Sequence, residues 1–265
     1  MDSPIVTLIT DWGYRDFFAG MVKGRLYSLI PSVRVVDITH GIDPYQLGSA
    51  IFVARQCCHE FPKGTIHIID VKSTCTPKNP AIAAEHDGQF YLCTDNGLPH
   101  ALFGDDTSHM AVLAPATSPE GFGNFVAYDI FCNAAALLAR GASLGDLGSP
   151  VQSLTRHIPL ATTHNENIYK THVAYIDAYG NANLTMSYAE FERERRGRNF
   201  EVQVHEMTLT ELQPSYASIN AVGNRRAALL LTVSSTGMLQ LAIREGSAEQ
   251  LFGLQVLESI TIRFF

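Results

Sequence analysis

The sequence predicts an α/β N-terminal domain, with a mostly parallel sheet and flanking helices, followed by a smaller, mainly antiparallel β domain. Apolar segments that end at an aspartate alternate with segments of helical periodicity in the first part of the chain, which is typical of parallel βαβ units. After a connector near residue 150, strand patterns predominate. We therefore expect an α/β domain over residues 1–150, a connector over 151–166 and a β domain over 167–265.

The first strand and helix are predicted from a change of period. Residues Ile5 to Thr10 are apolar or β-branched without alternation, which suits a strand covered on both faces. Asp11 follows the strand, and apolar residues recur at helical spacing from Phe18 onward. We expect Asp16 in the first turn or at the cap of this helix, where the dipole favours an acid. Taken alone, each aspartate is explained equally well as a turn former or a cap.

The pattern of a strand ending in an acid occurs twice more, in Val33–Ile38 and Thr65–Asp70. Asp11, Asp37 and Asp70 would then lie at the carboxyl ends of parallel strands. Ligands of open α/β sheets bind outside these ends. The three aspartates therefore indicate a site for a polar ligand that faces one crevice.

The remaining elements are predicted from periodicity and turn residues. Further strands are expected at Ala81–Glu85, Phe90–Thr94, Met110–Leu113, Tyr169–Ile176, Glu201–Val204, Leu229–Val233, Leu239–Ile243 and Ser259–Phe264. Further helices are expected at Gln46–His59, Asp129–Arg140 and Ser187–Arg195, with a loop at Asp95–Leu98 and a polar segment from Pro115 to Asn124.

The composition limits the kinds of molecule that the protein is expected to bind. The 265-residue chain is 46% hydrophobic and 17% charged, which is typical of a globular protein. Its net charge of −7 argues against nucleic acid or an anionic membrane as the main partner, so a small molecule is the better expectation. No apolar run approaches the ~20 residues of a membrane span, and the start does not resemble a signal peptide. We therefore expect a cytoplasmic protein.

Cysteine and histidine spacing predicts no metal site. The five cysteines include no C-x-x-C pair, and the ten histidines form neither H-x-x-x-H nor H-E-x-x-H. Reduced, mostly buried thiols are the expectation for this pattern. No glycine-rich phosphate loop occurs either, so a phosphate-binding nucleotide or sugar enzyme is only weakly supported.

Seven short motifs follow one another in a specific order and spacing along nearly the whole chain. They are Ile9-Thr10-Asp11-Trp12-Gly13 with Asp16, Lys23-Gly24, Val36-Asp37-Ile38-Thr39-His40, Phe61-Pro62-Lys63-Gly64-Thr65, Asp95-Asn96-Gly97-Leu98, Tyr175-Ile176-Asp177-Ala178-Tyr179-Gly180-Asn181 and Ser234-Ser235-Thr236-Gly237. The set resembles the S-adenosylmethionine (SAM) hydroxide adenosyltransferases, which are SAM hydrolases related to the fluorinase and chlorinase enzymes.

The resemblance implies a two-domain subunit, assembled as a homotrimer with each adenosyl site between neighbouring subunits. SAM would be the substrate, and no cofactor is implied. Asp11 would hold the ribose hydroxyls and Asp16 would position the methionine part. The other implied substrate-binding residues are Ser73 and Asn96 in the first domain, and Asp177, Tyr179, Asn181 and Ser235, which would hold the amino acid and adenosine ends, in the second. Without the resemblance, residues 175–181 are explained as a strand followed by a Gly-Asn turn.

The implied reaction is attack of water on the ribose 5′ carbon, which yields adenosine and methionine. In the hydrolases an Asp, an Arg seven residues later and a His in a Phe-His-Gly-Arg-Asp segment bind and polarise the water. Asp70 matches the Asp, but Pro77 stands at the Arg position with Lys78 beside it, and Val126 stands at the His position. Two of the three water-handling groups are therefore replaced.

Three hypotheses remain open. The first is SAM hydrolysis with Asp70 as the catalytic residue and Lys72 or Lys78 supplying positive charge, although Lys is a poor geometric substitute for Arg. The second is an adenosyl-binding protein without turnover. The third, a halide-dependent adenosyl transferase, ranks last: the halogenases carry Tyr at the Asp70 position, and the extra loop of the fluorinase has no room between Lys78 and Phe90.

Overall fold

The computed structural model describes residues 3–114, 124–158, 162–218 and 229–265. The chain divides into two compact units, Met1–Ile158 and Pro159–Phe265. The polar segment predicted from Pro115 to Asn124 lies outside the described residues except for Asn124. Within the described ranges, no helix combines the length and the apolar character needed to cross a membrane.

The first unit alternates strands and helices over its N-terminal part. Its strands are β1 Ile5–Thr10, β2 Arg34–Thr39, β3 Ile66–Asp70, β4 Ala81–His86, β5 Gln89–Thr94, β6 Met110–Leu113 and β7 Gly148–Pro150. Its helices are α1 Phe18–Leu29, α2 Leu47–Cys57, α3 Leu98–Phe103, α4 Cys132–Ala139 and α5 Leu144–Leu147. A 3₁₀ turn, Cys58–Glu60, follows α2, and a π-helical turn, Ala127–Phe131, precedes α4.

The strands of this unit form one mixed sheet in the order β2-β1-β3-β5-β4-β6-β7. The pairs β1–β2, β1–β3 and β3–β5 are parallel, whereas β4, β6 and β7 extend the sheet in antiparallel fashion. The chain passes from β1 to β2 on one side and then to β3 on the other. The carboxyl ends of β1 and β3 therefore flank the point where the strand order reverses, which is where ligands bind in such sheets.

The core of the first unit lies in two clusters that share β1. Val6 and Leu8 belong to a cluster with residues of α1 and α4, and Ile9 belongs to another with residues of α2. Successive side chains of a strand point to opposite faces, so β1 is buried on both sides, which accounts for its run of apolar residues without alternation. A buried hydrogen bond of 2.7 Å joins Thr7 Oγ1 to Nδ1 of His67 across the β1–β3 pair.

The second unit is built on antiparallel strands. They are β8 Thr163–Asn165, β9 Ile168–Ile176, β10 Ala182–Ser187, β11 Phe200–Val204, β12 Met207–Leu209, β13 Leu229–Val233, β14 Met238–Ile243 and β15 Ser259–Phe264. The order is β12-β11-β15-β9-β10-β14-β13, with β8 paired to β9. Two helices, α6 Tyr188–Arg195 and α7 Ala248–Phe252, and a 3₁₀ turn, Tyr216–Ser218, complete the unit. The prediction of a mainly antiparallel second domain is confirmed.

The sequence prediction missed several short elements, which are α3, α5, α7, β7, β8, β10 and β12. Helix α3 begins at the end of the predicted loop Asp95–Leu98, where Asn96 Oδ1 accepts the Leu98 N–H at 3.2 Å and Pro99 lies in the first turn. Pro is well tolerated there because the first amides of a helix lack intrahelical partners. Strand β10 has few β-branched residues, and its pairing with β9 and β14 sets its conformation. The helix predicted from Asp129 begins earlier, in the π-helical turn.

Candidate active site

The carboxyl ends of β1 and β3 bring Asp11 and Asp70 close together. Thr10 is paired in register with Asp70, and Asp11 is the next residue of the chain. Oδ2 of Asp11 accepts hydrogen bonds from the backbone N–H groups of Tyr45 at 2.9 Å and Lys72 at 3.2 Å. The carboxylate of Asp11 therefore fastens the loops that follow β2 and β3 to the end of β1.

Asn96 fixes the segment that follows β3. Its side-chain nitrogen donates to the carbonyl groups of Val71 at 3.1 Å and Lys72 at 3.2 Å. Lys72 has φ of +51°, a left-handed conformation that is uncommon for a residue with a Cβ. Such strain persists when surrounding contacts hold it, often near functional sites. The amide of Asn96 is thus engaged with the backbone, and its predicted role in substrate binding stays a prediction.

Asp70 is a buried carboxylate that accepts a hydrogen bond from an indole. Oδ2 accepts a hydrogen bond from Nε1 of Trp12 at 3.0 Å, whereas Oδ1 is buried and has no hydrogen-bond partner in the described part of the chain. Burial raises the pKa of Asp70 to about 7, and the negative charge of Asp11 raises it further, while the Ser73 hydroxyl and the Trp12 indole oppose the rise. Asp70 can therefore gain and lose a proton near neutral pH.

Trp12 lies between two aromatic rings. It stacks on His40 with centroids 5.7 Å apart and meets Phe125 edge-on at 5.1 Å. Nδ1 of His40 is in turn hydrogen-bonded to Thr10 Oγ1 at 2.6 Å. Trp12 is the single tryptophan of the 265-residue chain. Sequence reasoning did not assign it a role, because its contact with Asp70 depends on the register of two strands 58 residues apart.

Asp37 does not occupy the position predicted for it. β2 continues to Thr39, so Asp37 lies inside the strand and not at its end. Its Oδ2 accepts a hydrogen bond from Lys23 Nζ at 2.5 Å, and its Oδ1 lies 3.2 Å from Nε2 of His40. Although burial opposes the effect, Lys23 and His40 lower the pKa of Asp37. This carboxylate is part of a structural ion pair, so the prediction of a third acid at a strand end is wrong.

Asp16 also differs from its predicted position. Helix α1 begins at Phe18, its cap residue is Phe17, and no acid lies in its first turn. The carbonyl of Phe17 accepts the N–H of Met21 at 2.9 Å, and this sets the start of the helix at Phe18, two residues after Asp16. The prediction of Asp16 in the first turn or at the cap is therefore wrong. Asp16 is exposed in the bend that follows β1.

The residues at and near the replaced water-handling positions differ in burial. The side chains of Lys72 and Lys78 are exposed, as is Pro77, and among the described residues neither lysine is a cause of the pKa shift of Asp70. Val126 is 4% exposed and packs in the core cluster that also includes Trp12. Ser73 is half-buried, and Thr94 Oγ1 lies 3.5 Å from its hydroxyl oxygen.

In the second unit, Asp177 organises its own loop. Its Oδ1 accepts the backbone N–H groups of Tyr179 at 2.9 Å and Asn181 at 3.0 Å. Its Oδ2 accepts the side-chain amides of Asn181 at 3.0 Å and Gln240 at 3.4 Å. Gly180 has φ of +77°, and an added Cβ would lie 2.0 Å from Ser247 Oγ, so only glycine fits. The loop is preorganised around a fully bonded carboxylate.

A buried polar network continues from this loop. Nε2 of Gln240 also lies 3.2 Å from Asn183 Oδ1, and Oε1 of Gln240 accepts the Tyr216 hydroxyl at 2.5 Å. Sequence reasoning missed these residues; the available signal was the polar Gln240 within an apolar strand. The Tyr179 ring is 80% exposed. Ser235 is exposed in the turn between β13 and β14, and the described contacts do not join either side chain to the Asp177 carboxylate.

Among the described residues, no group of three or more His, Cys, Asp or Glu side chains is arranged to hold a metal ion. The five cysteines, all within the described ranges, are free thiols. The described residues around Asp70 offer carboxylates, amides and aromatic rings.

Two family models match the chain. The model of the SAM hydroxide adenosyltransferase N-terminal domain matches residues 6–148, and the model of the C-terminal domain of the same family matches residues 171–261. Together the two matches account for most of the sequence, and each falls within one of the two compact units.

Curated relatives and solved structures agree with this match. The chain is 28% identical to the (R)-S-adenosyl-L-methionine hydrolase of Salinispora tropica, over 95% of each chain. It is 29% identical to the protein of the same name from Thermus thermophilus, over 94% of this chain and 96% of the relative. An uncharacterized conserved protein from Thermotoga maritima shares the fold, with a TM-score of 0.83 at 21% identity, over 98% of this chain and 99% of that chain. The chain belongs to the SAM hydroxide adenosyltransferase family.

Proposed function

We propose that this protein hydrolyses SAM to adenosine and methionine. Membership of the family supports the proposal, as do curated relatives named (R)-S-adenosyl-L-methionine hydrolase that match nearly the whole chain at 27–29% identity. The observation that carries it is Asp70, a buried carboxylate at the end of β3 whose pKa is raised to about 7 and whose Oδ1 has no hydrogen-bond partner among the described residues.

In this proposal Asp70 binds and activates water. Its Oδ1 accepts a hydrogen bond from the water, whose oxygen attacks the ribose 5′ carbon. The bond between that carbon and sulfur breaks with its electron pair going to sulfur, and the proton of the water passes to Asp70. A base whose pKa lies near the working pH is efficient in this role. The departing methionine is a neutral thioether, so no general acid is required.

Asp11 holds the ribose in the same proposal. Its Oδ2 already accepts two backbone N–H groups, which leaves Oδ1 to accept hydrogen bonds from ribose hydroxyls. Asp16 would attract the ammonium or sulfonium charge of the substrate, since a carboxylate pairs with a cation. Ser73 and Asn96 would line the pocket beside Asp70. Lys72 or Lys78 would supply positive charge near the water in place of the family Arg.

We also propose a homotrimer in which Asp177, Tyr179, Asn181 and Ser235 of one chain complete the adenosyl pocket of a neighbouring chain. Exposed aromatic rings near the first unit's site favour an association surface: Tyr14 is 68% exposed, Phe17 68% and Tyr45 73%. The preorganised loop around Asp177 offers amide and carboxylate groups to an amino acid or nucleoside. A solution mass of three chains would support this arrangement, and a monomeric active protein would contradict it.

A cytoplasmic location completes the proposal. The five free cysteines favour a reducing compartment. Fractionation of cells that express the tagged protein would test this point.

An adenosyl-binding protein without turnover is the second candidate. The observation in its favour is Val126, a buried apolar residue where the hydrolases carry the water-binding His. A halide-dependent adenosyl transferase is a weaker third candidate. It would require chloride or fluoride to form a halogenated nucleoside.

One incubation separates the three candidates. Purified protein is mixed with SAM, with and without chloride, and chromatography measures adenosine, methionine and chlorodeoxyadenosine. Adenosine formation that is lost in Asp70→Ala and retained in Asp87→Asn, a matched change at an exposed aspartate, supports hydrolysis. Tight adenosine binding without product at any protein concentration would favour the binding protein. Chloride-dependent product would favour the halide reaction.

A further inference from the structure

Trp12 and Asp70 form a pair that is held from both sides. The indole N–H donates to Oδ2 of Asp70 at 3.0 Å. His40 stacks on one face of the indole, and Phe125 meets it edge-on. Phe125 is itself fixed, because its backbone N–H donates to Asp129 Oδ2 at 3.1 Å. The indole therefore has little freedom to turn away from the carboxylate.

We propose that Trp12 is the positioning residue for Asp70 and directs the proton of the attacking water to Oδ1. The inference rests on the hydrolysis proposed above. An indole N–H is a donor only, so it bonds to Oδ2 whether or not Asp70 is protonated, provided that the proton is on Oδ1. Oδ1 is the oxygen without a partner among the described residues. One oxygen is thereby anchored and the other is left for the water.

The Trp12 indole also contributes to how readily Asp70 ionises. A carboxylate that accepts several hydrogen bonds has a low pKa, whereas a desolvated one has a high pKa. Asp70 is 4% exposed, and the Ser73 hydroxyl and the Trp12 N–H both favour its ionised form. Loss of the Trp12 N–H should therefore destabilise the ionised carboxylate and raise the pKa of Asp70 further.

Other titratable groups lie near this pair, and their titration must be distinguished from that of Asp70. Asp11 adjoins Asp70 at the end of β1, and its charge raises the pKa of Asp70. Cys132 of α4 is also affected by Asp70; burial raises its pKa to about 12, so the thiol stays neutral near pH 7. On the other side of the indole, burial lowers the pKa of His40 although Asp37 opposes this. Lys72 is exposed and follows β3.

Intrinsic fluorescence tests the pairing without turnover, because Trp12 is the only tryptophan. Fluorescence of the full chain is measured from pH 5 to 9. We expect a transition with a midpoint near pH 7 that disappears in Asp70→Asn and persists in His40→Gln. A transition that persists in Asp70→Asn and disappears in His40→Gln would overturn the pairing.

The pH profile of adenosine formation tests the positioning role. In Trp12→Phe, which keeps an aromatic ring but lacks the N–H, the acidic limb of the kcat profile should move upward by about one pH unit, and kcat at pH 9 should fall about five- to twenty-fold. Calorimetric affinity for adenosine should stay within about two-fold, since the contacts of Asp11 are untouched. If Trp12→Phe does not fold by circular dichroism, Trp12→Tyr is used in its place.

The outcomes distinguish the two proposals. A wild-type enzyme whose pH profile is unchanged in Trp12→Phe contradicts the positioning role and leaves hydrolysis intact. A wild-type protein that forms no adenosine, yet shows the Asp70-dependent fluorescence transition, contradicts hydrolysis and leaves the pairing intact. A loss of kcat without any movement of the pH profile would assign Trp12 a packing role only and would overturn the inference.

Discussion

Each unit contains an aspartate at the end of a strand or in a loop, Asp70 at the end of β3 and Asp177 after β9, and the two carboxylates differ in their hydrogen bonding. Asp177 accepts four N–H bonds from its own loop and from Gln240. Asp70 accepts one bond from Trp12, and its second oxygen is unpartnered among the described residues. A satisfied carboxylate stabilises a loop, whereas a desolvated one with spare acceptor capacity is typical of a reactive site.

Sheet topology explains the difference. The carboxyl ends of parallel strands meet at one edge, so the first unit places side chains from distant segments against Asp70. In the second unit β9 and β10 are antiparallel neighbours joined by the short loop around Asp177. In such a loop, the backbone N–H groups must find hydrogen-bond acceptors within a few residues. The parallel edge therefore brings side chains from distant segments together, whereas the loop of the antiparallel hairpin holds its own polar groups in a fixed arrangement.

The largest expected effect concerns turnover. Asp70→Asn should lower kcat for adenosine formation by at least about 100-fold, because an amide cannot take a proton from water. Adenosine affinity, measured by calorimetry, should change little. Asp87→Asn serves as the control, since Asp87 is exposed in the β4–β5 turn. A variant with more than a tenth of the wild-type kcat would contradict the assignment of Asp70 as the base.

The second prediction is that ionisation of the buried Asp70 lowers the free energy of unfolding. The folded protein keeps a proton on Asp70 up to a pKa of about 7, whereas the unfolded chain releases it near pH 4. The contribution of Asp70 to the free energy of unfolding is therefore present below pH 4, falls as pH rises to 7 and is absent above 7. Asp70→Asn should raise the free energy of unfolding at pH 8 by about 2–4 kcal/mol, with the gain vanishing at pH 4. Urea denaturation at both pH values measures this, and an equal effect at both would contradict it.

The third prediction concerns His67, a buried histidine whose contribution to stability changes with pH in the opposite direction to that of Asp70. Burial lowers the pKa of His67 to about 4, so its contribution to stability is present above pH 6.5 and is lost as pH falls through 4. In the wild type this loss offsets the gain from Asp70 over the same range. In Asp70→Asn the loss should appear as a fall of about 2–3 kcal/mol between pH 6.5 and 4. A flat profile for the variant would contradict this account.

The fourth prediction concerns Asp177, whose carboxylate accepts four N–H bonds. Asp177→Ala removes the acceptor of four N–H groups and should lower the free energy of unfolding by about 1–2 kcal/mol. Because the loss comes from hydrogen bonds, it should be similar at pH 6 and pH 8. Tyr179→Ala, a change at the exposed ring of the same loop, should alter stability by less than about 0.5 kcal/mol. A stabilised Asp177→Ala variant would remove the contrast between the two units.

The smallest effect is expected for the lysines. The side chains of Lys72 and Lys78 are exposed, and exposed charges are screened by solvent and salt. Lys72→Ala and Lys78→Ala should each lower kcat by less than about three-fold. A ten-fold loss that is restored by Arg at the same position would contradict the small effect expected from an exposed, screened charge.

The strands that form the site were predictable, and the contacts within it were not. Apolar runs that end at Asp11 and Asp70 are signals within a few residues of sequence, so β1, β3 and their acids were identified. The Trp12–Asp70 bond depends on the register of β1 and β3, and the Gln240 network depends on β14 pairing with β10. Asp16 was misplaced because the start of α1 depends on the conformation of Phe17, which residue type alone does not determine.

The parallel part of the sheet also sets the width of the edge at which the two aspartates lie. The carboxyl ends of the neighbouring parallel strands β2, β1, β3 and β5 meet at the edge that carries Asp11, Asp70 and Asn96. Neighbouring strands lie about 4.8 Å apart, so these four strands span about 14 Å. That width is comparable with the size of a small molecule such as a nucleoside.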